Sequence, residues 1–540
     1  MSPGRYCYIP LQSREIRLLH VKPGDGPQIQ LSLVNVSLGD ELSYEALSYT
    51  WGDSSNTSAV ICMETGHTLE VTMNCEAALR VLRKDNMERI LWIIAIRIDQ
   101  SNKEEQSRQI LYMPDIYSRA KRVIAFLGEV SDDSGLVMNF ILDDRASIGR
   151  GHRPPVGESL RRAMDKILER AYFGRVWIIQ EILLASDITI VLGDKAAAWG
   201  DLSRSVFYVD ANKRLHLGET HRNLVPAVIF WRDRSTLDRP NSLLQFLHTT
   251  RRYKSSDPRD KVYALLAMTP EKDEPDVAPD YTLSPREIFL SVARFLLIHH
   301  NNLDVLCHCQ GTSPSYDLPS WAPDWSVCRV SKALGLPNTS PRPYKADGRR
   351  LASIVFEDPE TLVLRGRPID TISKIGPIYY EGAHPTVTLR QWDAMLSSAT
   401  RDPTSQSAKS FFLETLIAYP TYRVPNPYEN FHSAWRSMML DQKVLEHEDV
   451  AAATIIQNLV NEKCHGRCFF VTEKGYTGIG PGEMRPNHEM AVLLGGQVPF
   501  VLSKSVGDQY KLIGECYLHG FMNGEGMDDD KDILDQFRII

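Results

Sequence analysis

The run RILWIIAIRI at residues 89–98 constrains this chain more than any other stretch. Nearly continuous apolar sequence rich in isoleucine suits a strand buried on both faces, which predicts a parallel sheet with helices on each side. Its neighbours fit that frame. Ser101 with Glu104 three residues on forms a capping box, so a helix is expected there, with Ile110, Met113, Tyr117 and Ala120 inward and Pro114 kinking it. RVIAFLG (122–128) reads as the next buried strand.

Upstream, YEALSYTWGD (44–53) reads as a buried strand through Ala46, Leu47 and Tyr49 that ends in a Gly-Asp turn. AVICMET and HTLEVTM then alternate around Thr65-Gly66 as a hairpin, and Asn74 is the expected cap of a helix burying Ala78, Val81 and Leu82. Helical patterns follow at 135–143 and 158–170, then YFGRVWIIQEILLAS (172–186) as the most apolar helix of this half and ITIVLG as a last strand. Strands alternating with helices predict an α/β domain with a parallel sheet.

At 540 residues the chain is too long for one core. We expect an N-terminal extension over 1–40, an α/β domain over 41–205, a helical region with a Pro/Ser-rich join over 206–350, and a mixed helical and β-rich region over 351–540. In the last of these, 360–375 alternates as a strand, 390–463 reads as helical and 466–522 carries short strands with glycine turns.

The net charge of −7, with no long basic block, argues against nucleic acid. No apolar run reaches the roughly eighteen residues that span a bilayer, and the N-terminus lacks a signal-peptide core. The expectation is a soluble cytoplasmic protein without membrane or nucleic-acid partners. Nine cysteines spread along the chain fit reduced thiols. CHC (307–309) and CHGRC (464–468) lack paired C-x2-C spacing, so no metal site is expected. The nucleophile elbow, zincin helix, Walker loop and dinucleotide fingerprint are absent from the sequence.

The helix pattern around residues 172–186 contains Gln180 and Glu181 among apolar neighbours. A carboxylate on a buried helix needs a partner or a cleft: either an ion pair with Arg175 or Arg170, or a functional site.

Three blocks together resemble the fungal heterokaryon-incompatibility (HET) domain: YEALSYTWGD, LWIIAIRIDQSNKEEQSRQILYMPDIYSRAKRVIAFLGE and RAYFGRVWIIQEILLAS. DPRDKVYALLAM (257–268), PDY (279–281), LPSWAPDWS (318–326) and IGECYLHGFMNGE (513–525) extend the likeness over most of the chain. The resemblance implies a role in nonself recognition, with growth arrest or cell death after incompatible hyphae fuse. It implies as partners an allelic or non-allelic incompatibility protein and a second copy of the HET domain.

The HET domain is also similar to the Toll/interleukin-1 receptor (TIR) domain, a flavodoxin-like fold. ALSY parallels its first strand and WIIQE its W-C-x-x-E helix, so Glu181 inherits the role of the glutamate with which TIR enzymes cleave NAD. Nicotinamide leaves a pyridinium as a neutral ring, so one carboxylate stabilising an oxocarbenium-like transition state suffices. No cofactor is expected; NAD enters as a substrate. Tyr49 and Trp51, with Gly52 and Asp53, are the expected cleft residues, the aromatic rings stacking on a base.

The second block of the family reads L-W-I-D-A-x-C-I-N-Q, where this chain has Ile94, Arg97 and Asp99. Arg97 and Asp99 count as substrate-binding candidates, Arg97 meeting a phosphate or pairing with Asp53 or Glu181. The same departures carry the alternative of a non-enzymatic assembly module or an inactive homologue.

Overall fold

The structure, a computed structural model, describes residues 6, 8–63, 66–84, 86–97, 102–131, 133–146, 153–217, 227–233, 240–311, 315–335, 343–381, 385–399, 406–418, 447–527 and 534–540. The chain forms two units, Met1–Leu283 and Ser284–Ile540.

Unit one is built on a nine-stranded sheet: β1 (Glu15–Val21), β2 (Gln30–Ser37), β3 (Glu45–Tyr49), β4 (Thr57–Cys62), β5 (Thr68–Thr72), β6 (Arg89–Ile93), β7 (Arg122–Phe126), β8 (Ile188–Leu192) and β9 (Lys195–Ala198). Its spatial order is β5-β4-β2-β1-β6-β3-β7-β8-β9. The four apolar runs read as buried strands lie together at β6-β3-β7-β8, every pair parallel. Numbered along the chain, that core runs 2-1-3-4, a doubly wound order whose direction switches between β3 and β7.

The sheet as a whole is mixed, which corrects the expectation of a parallel sheet. β1 pairs antiparallel with both β2 and β6, and β4–β5 and β8–β9 are antiparallel hairpins. β1 and β2 come from residues 1–40, expected as an extension. They belong to the sheet because Ile16, Leu18, Leu19 and Val21 are buried, and burying them requires a neighbouring strand to satisfy the backbone.

The run at 89–98 is a strand only as far as Ile93; Ile94–Arg97 turns into a short helix, α2, which corrects the reading of one long strand. β3 pairs with β6 no further than Ile93, and Ile96 is still buried in the core from the helical turn. Continuous apolar sequence does not distinguish the two conformations.

Helix α1 (Met73–Leu82) buries Cys75, Ala78, Leu79 and Leu82, and its cap is Thr72, whose hydroxyl accepts from the Cys75 N–H, rather than Asn74. Helix α3 (Lys103–Arg119) runs through Pro114 and is capped by Asn102; the expected cap Ser101 lies outside the described residues. Helices α4 (Ser134–Ala146) and α5 (Glu158–Leu168) precede the segment expected as one helix over 172–186. That segment is a 3-10 turn, Ala171–Gly174, an extended Arg175 and the seven-residue helix α6 (Trp177–Leu183). Helices α7 (Trp199–Leu217), α8 (Ala227–Asp233), α9 (Leu243–Thr249) and α10 (Asp260–Leu266) complete the unit.

Unit two begins with α11 (Pro285–His300), started by a capping box of Ser284 and Glu287. Its strands are β10 (Ile354–Phe356), β11 (Leu362–Ile378), β12 (Arg467–Thr472), β13 (Thr477–Pro481), β14 (Glu489–Leu493), β15 (Phe500–Lys504), β16 (Gln509–Glu515), β17 (Tyr517–Leu518) and β18 (Asp535–Ile539). The long β11 pairs with β14 and with β18, and β14-β15-β16-β18 connects those two partners, so five strands close into a barrel-like ring. Helices α12 (Pro385–Ala399), α13 (Gln406–Leu416) and α14 (His447–Cys464) precede β12; the rest of the helical reading at 390–463 lies outside the described residues. Among the described residues no helix is long and apolar enough to cross a membrane.

Candidate functional site

Alternation along β3 sends Leu47 and Tyr49 to one face of the sheet and Ser48 to the other. On Ser48's face lies the Glu181 carboxylate, 1% exposed. The Ser48 hydroxyl donates to Glu181 Oε2, which leaves the Tyr172 hydroxyl to donate to Ser48 Oγ at 2.8 Å. Arg175 Nη2 stands 3.5 Å from Glu181 Oε1, so of the two arginines considered from sequence it is Arg175 that faces the carboxylate. Arg170 instead donates to the carbonyls of Leu127 and Glu129 and to Ser131 Oγ, fixing the loop after β7. Tyr117 of α3 packs edge-on against Trp92 nearby. Burial, and then the charge of Glu181, push the hydroxyls of Tyr117 and Tyr172 well above the ordinary phenol range.

A pocket of about 210 Å³ opens where β3 and β7 end. Thr50 follows β3, and Phe126, Leu127 and Gly128 close β7; Asn74 of α1 and Arg170–Tyr172 supply the remaining wall. The carboxyl ends of parallel strands at a change of winding direction are where doubly wound sheets take ligands. At this volume, below the roughly 300–1,000 Å³ of a typical ligand site, it holds one ring rather than a whole dinucleotide. Glu181 does not line it. Tyr172 does, and its hydroxyl connects the pocket through Ser48 to Glu181.

Among the described residues, none of the other expected site side chains lines this pocket. Tyr49 is buried on the opposite face of β3, in the core with Cys75, Ala78 and Leu79 of α1. Burial raises its hydroxyl and pushes the Cys75 thiol up to about 12. Trp51 is half-buried against the same core. Gly52 has φ +75°, and a Cβ there would stand 2.7 Å from Asn74 Nδ2, so the turn demands glycine. Asp53 is exposed and closes its own turn: Oδ1 accepts from the Ser55 N–H at 2.9 Å and the Ser55 hydroxyl at 2.7 Å, which holds the carboxyl below its usual range. The backbone of Arg97 ends α2, while its side chain and all of Asp99 lie outside the described residues. Neither Ser48 nor Tyr172 is singled out by the sequence, and Tyr117 only as an inward residue of its helix, although the alternation of β3 already separates Ser48 from Leu47 and Tyr49. Among the described residues no three His, Cys, Asp or Glu side chains cluster as metal ligands.

Residues 44–181 match the family model described as heterokaryon incompatibility protein (HET), and residues 398–537 match the Het-6 beta-barrel domain. The chain is a fungal HET-domain protein. The HET match begins at Tyr44, just before β3, and ends on Glu181 itself, while the barrel match covers β12 to most of β18. Heterokaryon incompatibility protein 6, OR allele, of Neurospora crassa is 25% identical, over 95% of this chain and 94% of its own length. No solved structure matches the chain.

Proposed function

We propose that this HET-domain protein acts in heterokaryon incompatibility, as a cytoplasmic effector that arrests growth or kills the cell when it meets a nonself partner, and that its HET domain cleaves NAD. The observation that carries the reading is the connection from the pocket at the ends of β3 and β7, through Tyr172 and Ser48, to the carboxylate of Glu181. The 2-1-3-4 order of the parallel core supports the TIR-like comparison. In this mechanism water attacks the ribose carbon as its bond to nicotinamide breaks, releasing neutral nicotinamide, ADP-ribose and a proton. Glu181 stabilises the positive charge that develops on the ribose. Because Glu181 is 1% exposed, it meets a ribose only after Tyr172 leaves the pocket wall.

That same burial favours a second reading, in which the domain signals by self-association and Glu181 is a structural tether. Expressing the full chain and its Glu181→Gln variant in yeast, with cellular NAD and viability measured, separates the two. The enzyme reading expects NAD depletion and death in the first and neither in the second. Death with NAD unchanged, or NAD consumption by Glu181→Gln, overturns it in favour of assembly.

A further inference from the structure

We infer that residues 253–283, beyond the segment matched to the HET family, complete its functional site, and that Asp260 is a positioning residue for Glu181, acting through Trp177. The inference rests on Glu181 as the working group of the proposed function.

A helix of seven residues has no stability of its own, so whatever anchors α6 decides where Glu181 sits. The N-terminus of α6 has no side-chain cap. Its anchors come from the later segment. The Val176 N–H donates to the Lys254 carbonyl at 2.9 Å, the Lys254 N–H returns a bond to the Gly174 carbonyl, and Arg175 and Lys254 form a parallel bridge. The Trp177 indole N–H donates to Asp260 Oδ2 at 2.9 Å. Trp177 and Glu181 are four residues apart and share a face of the helix, so fixing one fixes the rotation that presents the other.

Asp260 is itself held. Its second oxygen accepts from the Tyr281 hydroxyl at 2.5 Å, and the Tyr281 N–H donates to Ser107 Oγ on α3, the helix that also carries Tyr117. Arg259 fastens the arrangement by bonding Asp257 and the carbonyls of Tyr281 and Leu283, with its guanidinium 4.9 Å from the Tyr281 ring centroid. At the far end of α6, Arg232 Nη1 donates to the Leu183 carbonyl at 3.3 Å. The DPRDK stretch is thus the clamp on the helix of Glu181, which explains its presence outside the α/β core.

The test is hydrogen exchange of the peptide 172–186 in the purified full chain, alongside growth arrest and NAD level in yeast. Asp260→Ala and Trp177→Phe each delete one side of the indole bond, and each is expected to lower protection of that peptide about tenfold and to weaken the cellular effect. Asp260→Asn keeps an oxygen that accepts from the indole, and is expected to restore both. Protection within about twofold of wild type in both deleting variants overturns the inference, as does an Asn variant as impaired as the Ala one. Should Asp260→Ala unfold the unit, Trp177→Phe decides by the same criterion. A wild-type chain that neither arrests growth nor depletes NAD would refute the proposed function, while the exchange result would still decide the clamp.

Discussion

Arg17 on β1 and Glu105 on α3 form an ion pair inside unit one, with side chains 1% and 3% exposed. The contact is bidentate, Nη1 to Oε1 at 2.6 Å and Nη2 to Oε2 at 3.1 Å, and Nη2 also reaches the Ile9 carbonyl at 2.6 Å. Removing one member strands the other charge away from water. Arg17→Met or Glu105→Met alone should therefore cost about 3–5 kcal/mol, whereas the double Met variant replaces both charges by apolar groups and should lose no more than about 1–2 kcal/mol. The double-mutant cycle then gives a coupling of at least ~4 kcal/mol. Urea titration of the full chain, read by pulsed hydrogen exchange over residues 1–283, measures it without mixing in the transition of the second unit. A coupling below about 0.5 kcal/mol, or single variants that lose less than about 1 kcal/mol, would refute a stabilising role for the buried pair between β1 and α3.

Ser48→Ala removes the hydroxyl between Tyr172 and Glu181 and should cost unit one about 2 kcal/mol, measured by the same titration; an unchanged midpoint would remove Ser48 from the site. Burial, opposed by the bonds from Tyr281 and Trp177, raises the Asp260 carboxyl from 3.8 to about 6. The folded state therefore holds that proton more tightly than the unfolded chain, and this contribution to stability is full below pH ~3.8 and lost as pH rises through ~6, by about 3 kcal/mol in all. Comparing wild type with Asp260→Asn from pH 4 to 7 should show wild type losing roughly 2.4 kcal/mol of that amount, and a constant difference would refute it. In unit two, Glu515 is fully buried against Arg467 at 2.8 Å and accepts from the Leu334 and Gly335 N–H groups at 2.7 and 3.0 Å. Glu515→Ala should lower the stability of that unit by about 3–5 kcal/mol in thermal unfolding, and a loss below about 1 kcal/mol would contradict it.

Much of the α/β core was legible in the sequence because short β-branched runs between helical patterns have few other ways to be buried. That a buried strand lies within each of 44–53, 89–98, 122–128 and 188–193 follows from local composition alone, though the end of the second at Ile93 does not. So does the need of Glu181 for a partner, since a carboxylate among apolar residues cannot stay unpaired. Period-two alternation also fixed that Ser48 and Tyr49 point to opposite faces.

Which element covers each face is another matter, because that choice is made by residues far away in the chain. Only the tertiary structure put α1 over Tyr49 and α6 over Ser48, separating an expected stacking residue from the expected carboxylate. Only it turned Ile94–Arg97 into a helix, brought Arg17 to Glu105 across 88 residues, and brought Trp177 to Asp260 across 83. Local sequence sets which conformations and faces are affordable to each segment; the partners are selected when the whole chain must satisfy its buried charges and backbone groups at once.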